Sequence, residues 1–218
     1  MPVRSYTSIK MFHQCAAKYK ALVIDKSVPF TTTTEQQKGI DVHAALEKAV
    51  KDGTELLSEF KQYQPVVDYL QRLSGKTLCE KKLGIKTDLS PCGFFDEEVW
   101  YRGTLDVLNI DGQRARIFDY KHGNDAYQDN DQLKENAILV FQNYPEIDTI
   151  QAVFIYLAVD RISEKLVFKR EDLHSLVVGL SKKEVPMVRS EKLDSFPTNK
   201  THLCNYCQVT TCQYHNRG

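Results

Sequence analysis

Residues 103–121, GTLDVLNIDGQRARIFDYK, constrain the fold more than any other stretch of this chain. Asp111-Gly112 is a strong tight-turn dipeptide, and apolar and polar residues alternate on both sides of it. Two antiparallel strands must meet there. With Asp111 and Gly112 as the central turn residues, Asp106 stands opposite Ile117. Side chains alternate along a strand, so Ile117, Asp119 and Lys121 share one face, and Asp106 lies on that face too. Asp106 and Asp119 are then diagonal neighbours, about 7–8 Å apart between Cα atoms.

Two acids and a lysine on one face of a hairpin have an ordinary reading, a solvated surface. A three-residue loop would also flip the register and send Asp106 to the other face. The chemical reading is that the two carboxylates converge on one divalent cation. Hard oxygen ligands with no paired His or Cys nearby favour Mg²⁺ or Mn²⁺. Lys121 adds a fixed positive charge one layer along, suited to steadying a hydroxide or the charge that builds on a phosphate.

The rest of the chain supplies the elements around this hairpin. Helical periodicity runs over residues 5–20 (Ile9, Phe12, Ala16, Tyr19) and 39–51 (Val42, Leu46, Ala49), with Gly53 as a stop. Residues 54–73 are again helical, split or kinked at Pro65. The segment VPFTTTTEQQKG reads as a loop. From Lys76 the period becomes that of strands, up to the edge strand EKLVFKR, interrupted by a helix at 131–143. A last helix spans about residues 171–183, and the tail from Pro197 is loop-like and cysteine-rich. Helices, a strand meander, then helix, strand and helix give an α/β fold: a mixed central β-sheet flanked by helices. The expected organisation is one domain over 1–218, with a helical part at 1–75, a catalytic sheet core at 76–170 and a cysteine tail at 197–218.

Composition narrows the partners and the compartment. The 218 residues are 42% hydrophobic and 27% charged with zero formal net charge, so a nucleic-acid surface would have to be local rather than global. Lys81, Lys82, Lys86, Lys182 and Lys183 are candidate phosphate contacts, and Phe12, Phe30 and Phe94 candidate stacking residues; for each alone a solvated face or core packing is the plainer reading. No run approaches the roughly 18 apolar residues of a membrane span. The start, MPVRSYTSIK, lacks a signal-peptide core. The expected compartment is the cytoplasm, host cytoplasm if the source is a virus, where thiols stay reduced.

Cysteine spacing is therefore a metal signal first. Cys204, Cys207 and Cys212 form C-x2-C-x4-C. A soft metal centre needs a fourth ligand. His215 would complete a local Cys₃His zinc site, whereas Cys15 would complete a Cys₄ site that staples the first helix to the tail and suits an iron–sulfur cluster. Cys79 and Cys92 fall in or beside strands and read as core or incidental.

RGTLD followed by FDYK resembles the G-x-x-D and D-x-K elements of the PD-(D/E)XK nuclease superfamily, and more narrowly its RecB-like exonuclease branch. Further segments are similar in the same order: GIDVHAALE resembles the branch's G-x-x-x-H-x-x-L-E helix, LCEKKLGI its acidic strand, and DQLKENA its Q-x-x-x-Y helix, with Asn136 in place of the aromatic. The resemblance implies a restriction-endonuclease-like sheet. It implies that His43, Asp106, Asp119 and the backbone carbonyl of Tyr120 hold Mg²⁺ or Mn²⁺, that Lys121 positions the nucleophile, that Gln132 assists, and that Glu80 is a possible supporting acid. The Tyr120 ring itself reads as sheet packing.

Iron–sulfur members of the branch, including nucleases of CRISPR adaptation, carry one cysteine before the core and three after it. That resemblance favours a [4Fe–4S] cluster on Cys15, Cys204, Cys207 and Cys212, with zinc as the alternative; Ala16 departs from the usual C-P-x-x-Y context. It implies an exonuclease on single-stranded DNA in recombination, repair or replication, working with proteins of those pathways and of a stand-alone kind found in phages, since no G-x-x-x-x-G-K-[ST] loop is present. The rival readings are a catalytically inactive nucleic-acid-binding subunit and a structure-specific endonuclease with a zinc tail.

Overall fold

A computed structural model describes residues 2–123 and 129–218. The chain divides into two compact units, Thr33–Leu176 and the pair of segments Met1–Thr32 and Val177–Gly218.

The larger unit is built on a seven-stranded mixed sheet. Its strands are β1 (Lys76–Ile85), β2 (Pro91–Cys92), β3 (Tyr101–Asp111), β4 (Arg114–Lys121), β5 (Thr149–Tyr156), β6 (Arg161–Ile162) and β7 (Leu166–Lys169). The order is β2-β1-β3-β4-β5-β6, with β7 also on β5. All pairings are antiparallel except β4 with β5. A parallel pair requires a crossover, and the helix Asp131–Asn143 lies between β4 and β5 in the chain. The mixed sheet flanked by helices matches the expected fold.

The smaller unit begins with α1 (Tyr6–Gln14) and α2 (Ala16–Tyr19). The larger unit adds α3 (Thr34–Asp52), α4 (Gln64–Gln71) and α5 (Asp131–Asn143). The helix α6 (Leu173–Leu193) carries the chain from the larger unit back into the smaller.

α3 starts earlier than its apolar stripe suggests. Thr33 caps it and Gln36 returns the bond to the Thr33 amide, so part of the expected loop is helical. Gly53, at φ +67°, ends it as expected. Pro65 sits in the first turn of α4 after a 3₁₀ turn at Ser58–Tyr63, which splits that helical segment. Val42, Leu46 and Ala49 of α3 and Val67 and Leu70 of α4 pack on Cys79, Val107, Phe118 and Tyr120 of the sheet. α5 lies on the other face: Tyr101 hydrogen-bonds Glu135, and a Cβ on Gly103 would come 2.9 Å from Leu139 Cδ1.

The expected continuous helix over 5–20 is broken. Cys15 is extended, at φ −163° and ψ 109°, between α1 and α2. The tail of the same unit satisfies the exposed helix ends: Asn199 Nδ2 donates to the Gln14 carbonyl at 3.0 Å, and Ala17 N–H donates to the Pro197 carbonyl at 3.3 Å. The last helix is longer than expected. It runs through Pro186 to Leu193, and within this unit the buried Arg4 guanidinium grips Glu184 at 2.9 Å and Glu191 at 2.7 Å, one on each side of the proline.

Candidate metal centre

The hairpin turns one residue later than expected. Asp111 pairs with Arg114, so Gly112 and Gln113 are the central residues, and Gly112 takes the left-handed φ of +61°. Val107 pairs with Phe118, which brings Asp106 level with Asp119 rather than with Ile117. The shift moves the partner by two residues, so side-chain parity is kept.

Regular pairing of β3 with β4 ends at Val107 and Phe118. Beyond that point the Asp106 side chain takes over: its Oδ2 accepts the Tyr120 backbone N–H at 2.7 Å. Alternation also fails there. Cys79 and Val107 pack with α3 and α4, yet Tyr101 and Gly103, of the same parity as Val107, meet α5. Glu80 lies between the pairs Cys79–Val107 and Lys81–Leu105, across from Asp106, and has φ +49°. A left-handed glutamate inside a strand is a strained position of the kind concentrated at functional sites. The break re-aims Glu80 and Asp106 toward α3.

α3 supplies His43 to the same place. The residue follows buried Val42 and so stands on the flank of the apolar stripe. Its Nδ1 is 3.5 Å from Asp106 Oδ1, and its ring meets the Tyr120 ring edge-on at 5.4 Å. One ligand atom each from His43, Glu80 and Asp106 lies within 4.8 Å of the others, and this is the one such group among the described residues. Glu80 is a member of it and Asp119 is not.

Asp119 belongs to an adjoining cluster. Gln132 Nε2 of α5 donates to Asp119 Oδ1 at 2.6 Å, and Lys121 Nζ donates to Gln132 Oε1 at 2.6 Å. Lys121 Nζ is also 2.6 Å from Asp119 Oδ2, an ion pair with the buried acid. One amide thus holds the acid and the ammonium of D-x-K in fixed relation.

The charges show what the arrangement lacks. Burial, then the Asp106 charge, raises the Asp119 carboxyl above its ordinary range, although Lys121 and His43 pull the other way. Burial, Asp106 and Glu47 raise Glu80 likewise. Burial opposes protonation of His43, but the Asp106 bond and the nearby acids win and raise it. Three acids in two adjoining clusters raise one another's carboxyls, an arrangement that a divalent cation would relieve. An imidazole and two carboxylates, with a third carboxylate beside them, suit Mg²⁺ or Mn²⁺.

Tyr120 contributes a buried ring to the α3/α4 core, as its ordinary reading has it. Asn136, in the place of the aromatic, is buried beneath Gly103. His122 was not singled out from the sequence; its Nδ1 is buried without a partner directly after Lys121. The strain at Glu80 was equally invisible, since only its charge shows in the sequence.

In the smaller unit Cys15, Cys204, Cys207 and Cys212 line one cavity with His215. The Thr201 amide points to Cys204 Sγ at 3.5 Å, and the His215 Nδ1 is buried without a partner. Among the described residues no three of these ligand atoms come within 4.8 Å of one another. Cys79 is buried in the other unit's core and Cys92 lies in β2, as expected for incidental cysteines.

The fold and the acid–imidazole–lysine site define a metal-dependent nuclease. The sequence matches the family model of the PD-(D/E)XK nuclease superfamily over residues 4–212, and the chain belongs to that superfamily. Its fold is similar to a crystal structure from Eubacterium rectale described as "Putative exonuclease", with 15% identity, a TM-score of 0.56, and coverage of 95% of this chain and 87% of that one. SSO0001 is a more distant structural match, with 10% identity, a TM-score of 0.42, and coverage of 99% and 88%. No curated protein matches the chain in sequence. Among the described residues no helix is long and apolar enough to cross a membrane.

Proposed function

We propose that this protein is a DNA exonuclease that hydrolyses phosphodiester bonds from an end of a single strand. The convergence of His43, Glu80 and Asp106 beside the Asp119–Gln132–Lys121 cluster carries the reading. His43, Asp106 and Asp119, with Glu80 in support and the Tyr120 carbonyl completing the set, would hold Mg²⁺ or Mn²⁺. That ion supplies Lewis acidity toward the scissile phosphate and a lowered pKa for water.

The remaining work falls to the protein's own groups. The Tyr120 amide fixes Asp106 so that its other oxygen faces His43. Gln132 holds Lys121, so the ammonium stands ready where negative charge builds on the phosphate. The packed core behind Tyr120 keeps these groups from relaxing apart. The match over 4–212 runs through both compact units, which supports reading 1–218 as one nuclease domain.

For the cysteine cavity the reading is a structural [4Fe–4S] cluster on Cys15, Cys204, Cys207 and Cys212. Four thiols lining one cavity support it. The break at Cys15 frees that thiol from the helical register.

The test compares wild type and Asp119→Ala on end-labelled linear and on circular single strands with Mg²⁺ or Mn²⁺. Degradation of linear strands alone, lost in the variant, is the expected result. Cleavage of circles would make the protein an endonuclease, and no cleavage of any DNA would make it a binding subunit.

A further inference from the structure

Beyond the metal centre, the larger unit carries an aromatic–cation cluster on β1, β3 and the loop after β2. Phe94 and Phe95 meet edge-to-face at 5.0 Å and 77°. Arg102 Cζ lies 4.5 Å from the Phe94 centroid and 5.5 Å from that of Phe95, and Lys82 Nζ lies 5.7 Å and 5.6 Å from the same two rings. Arg102 Nη1 also donates to the Phe94 carbonyl at 2.9 Å, which fixes the loop to the sheet. Nevertheless Phe95 is 76% exposed. An exposed phenylalanine held in place by two cations is not core packing.

Its position gives it a use. Tyr101 and Gly103 meet α5, so Arg102 and Thr104 point to the opposite face, with Lys82 paired to Thr104 and Gly84 to Arg102. That is the face from which α3 presents His43. Lys82 is two residues from Glu80 on one strand, and Arg102 is four residues from Asp106 on the next. At about 3.3 Å per residue the cluster sits roughly 7–13 Å from the acids along the sheet.

Resting on the nuclease reading above, we infer that Phe95, Phe94, Lys82 and Arg102 form a platform for the substrate strand, with a base stacked on Phe95 and its phosphates at Lys82 and Arg102. A single-stranded nucleic acid is the ligand that alternates a flat π-face with an anion, and the cluster offers a partner for each. The charge around it supports one strand rather than a duplex. The exposed Asp96 and Glu97 follow Phe95, and Glu98 is taken by Lys86, so positive charge faces the strand only on the Lys82–Arg102 flank. Stacked nucleotides advance about 3.4 Å, which puts the platform two to four nucleotides from the cut.

The experiment compares wild type, Phe95→Ala and Phe95→Trp on a dinucleotide and on a twelve-nucleotide single strand with Mn²⁺. A second readout is the fluorescence of 2-aminopurine placed in turn at the first six positions, titrated with protein in EDTA. Losing one base stack is expected to raise KM for the long strand about tenfold, with kcat unchanged. The dinucleotide is expected to show no difference, tryptophan to restore KM, and quenching by wild type to vanish with alanine. Equal KM and equal quenching for wild type and Phe95→Ala would overturn the platform. Quenching that depends on Phe95, in a protein that cleaves nothing, would support the platform and overturn the nuclease. Absence of both quenching and cleavage would overturn both.

Discussion

The Asp106 carboxylate accepts the Tyr120 backbone N–H at 2.7 Å, standing in for the ladder bond that β3 no longer makes. One acid therefore closes the gap between two strands and faces His43 with its other oxygen. The position is structural and chemical at once, and its substitutions separate the two roles.

Asp106→Asn keeps an oxygen for the Tyr120 amide and removes the charge that raises Glu80 and Asp119. The metal-free variant is expected to melt above the wild type, because like-charge repulsion is relieved, while hydrolysis is lost. Asp106→Ala leaves the amide unpaired, which costs about 1–3 kcal/mol and lowers the melting temperature relative to Asn. Thermal unfolding in EDTA checks that Asn melts above both wild type and Ala.

Metal removal exposes the same repulsion. Mg²⁺ or Mn²⁺ is expected to raise the melting temperature, by about 2.7 kcal/mol of stability at a hundredfold excess over Kd. Glu80→Gln and His43→Ala each shrink that increment. Differential scanning calorimetry with and without Mn²⁺ measures it; an increment unchanged in both variants would remove them from the ligand set.

Gln132→Ala cuts the bridge between Asp119 and Lys121. Such supporting partners are worth about 10–100-fold in metal affinity or activity. The expected loss falls on kcat, because Lys121 loses its position while the DNA contacts persist. Steady-state kinetics on a labelled strand separates the two constants.

Arg4 anchors the smaller unit. Its side chain is fully buried and bonds Glu184, Glu191 and the Tyr19 hydroxyl. Arg4→Met removes the buried guanidinium that bonds both acids and is expected to cost about 3–5 kcal/mol in urea unfolding. Burial alone would raise Glu191, but the bonds from Arg4 and Tyr19 hold it below its ordinary 4.5. A folded pKa below the unfolded one gives stability that is complete above 4.5 and lost as pH falls through the depressed value. Glu191→Gln should flatten the acid limb of the stability–pH curve.

Cys15→Ser, or serine at Cys204, Cys207 or Cys212, should empty the cysteine cavity of iron, and Cys79→Ser should not. Iron content and visible absorbance of anaerobically purified protein decide it. A colourless wild type carrying zinc would favour the Cys₃His alternative with His215.

The sequence carried much of this account because several signals are local. Leu133, Ala137, Val140 and Phe141 mark α5 without help from the rest of the chain, and Gly53 needs only its own left-handed φ to stop α3. The Asp-Gly dipeptide marks the hairpin but not which of its neighbours completes the turn, and parity keeps Asp106 and Asp119 level across the strands. What the sequence hid depends on distant partners. The break at Cys15 is stabilised by Pro197 and Asn199 from the far end of the chain. The break at Glu80 and Asp106 gathers side chains from β1, β3, β4 and α3, and no window of sequence records that assembly.

Crystals soaked in Mn²⁺ and measured for anomalous scattering test the central claim most directly. The expected peak is bounded by His43, Glu80 and Asp106, on the side toward Asp119, and is absent in Asp106→Asn. A manganese site elsewhere on the protein, or none at saturating Mn²⁺, would contradict it.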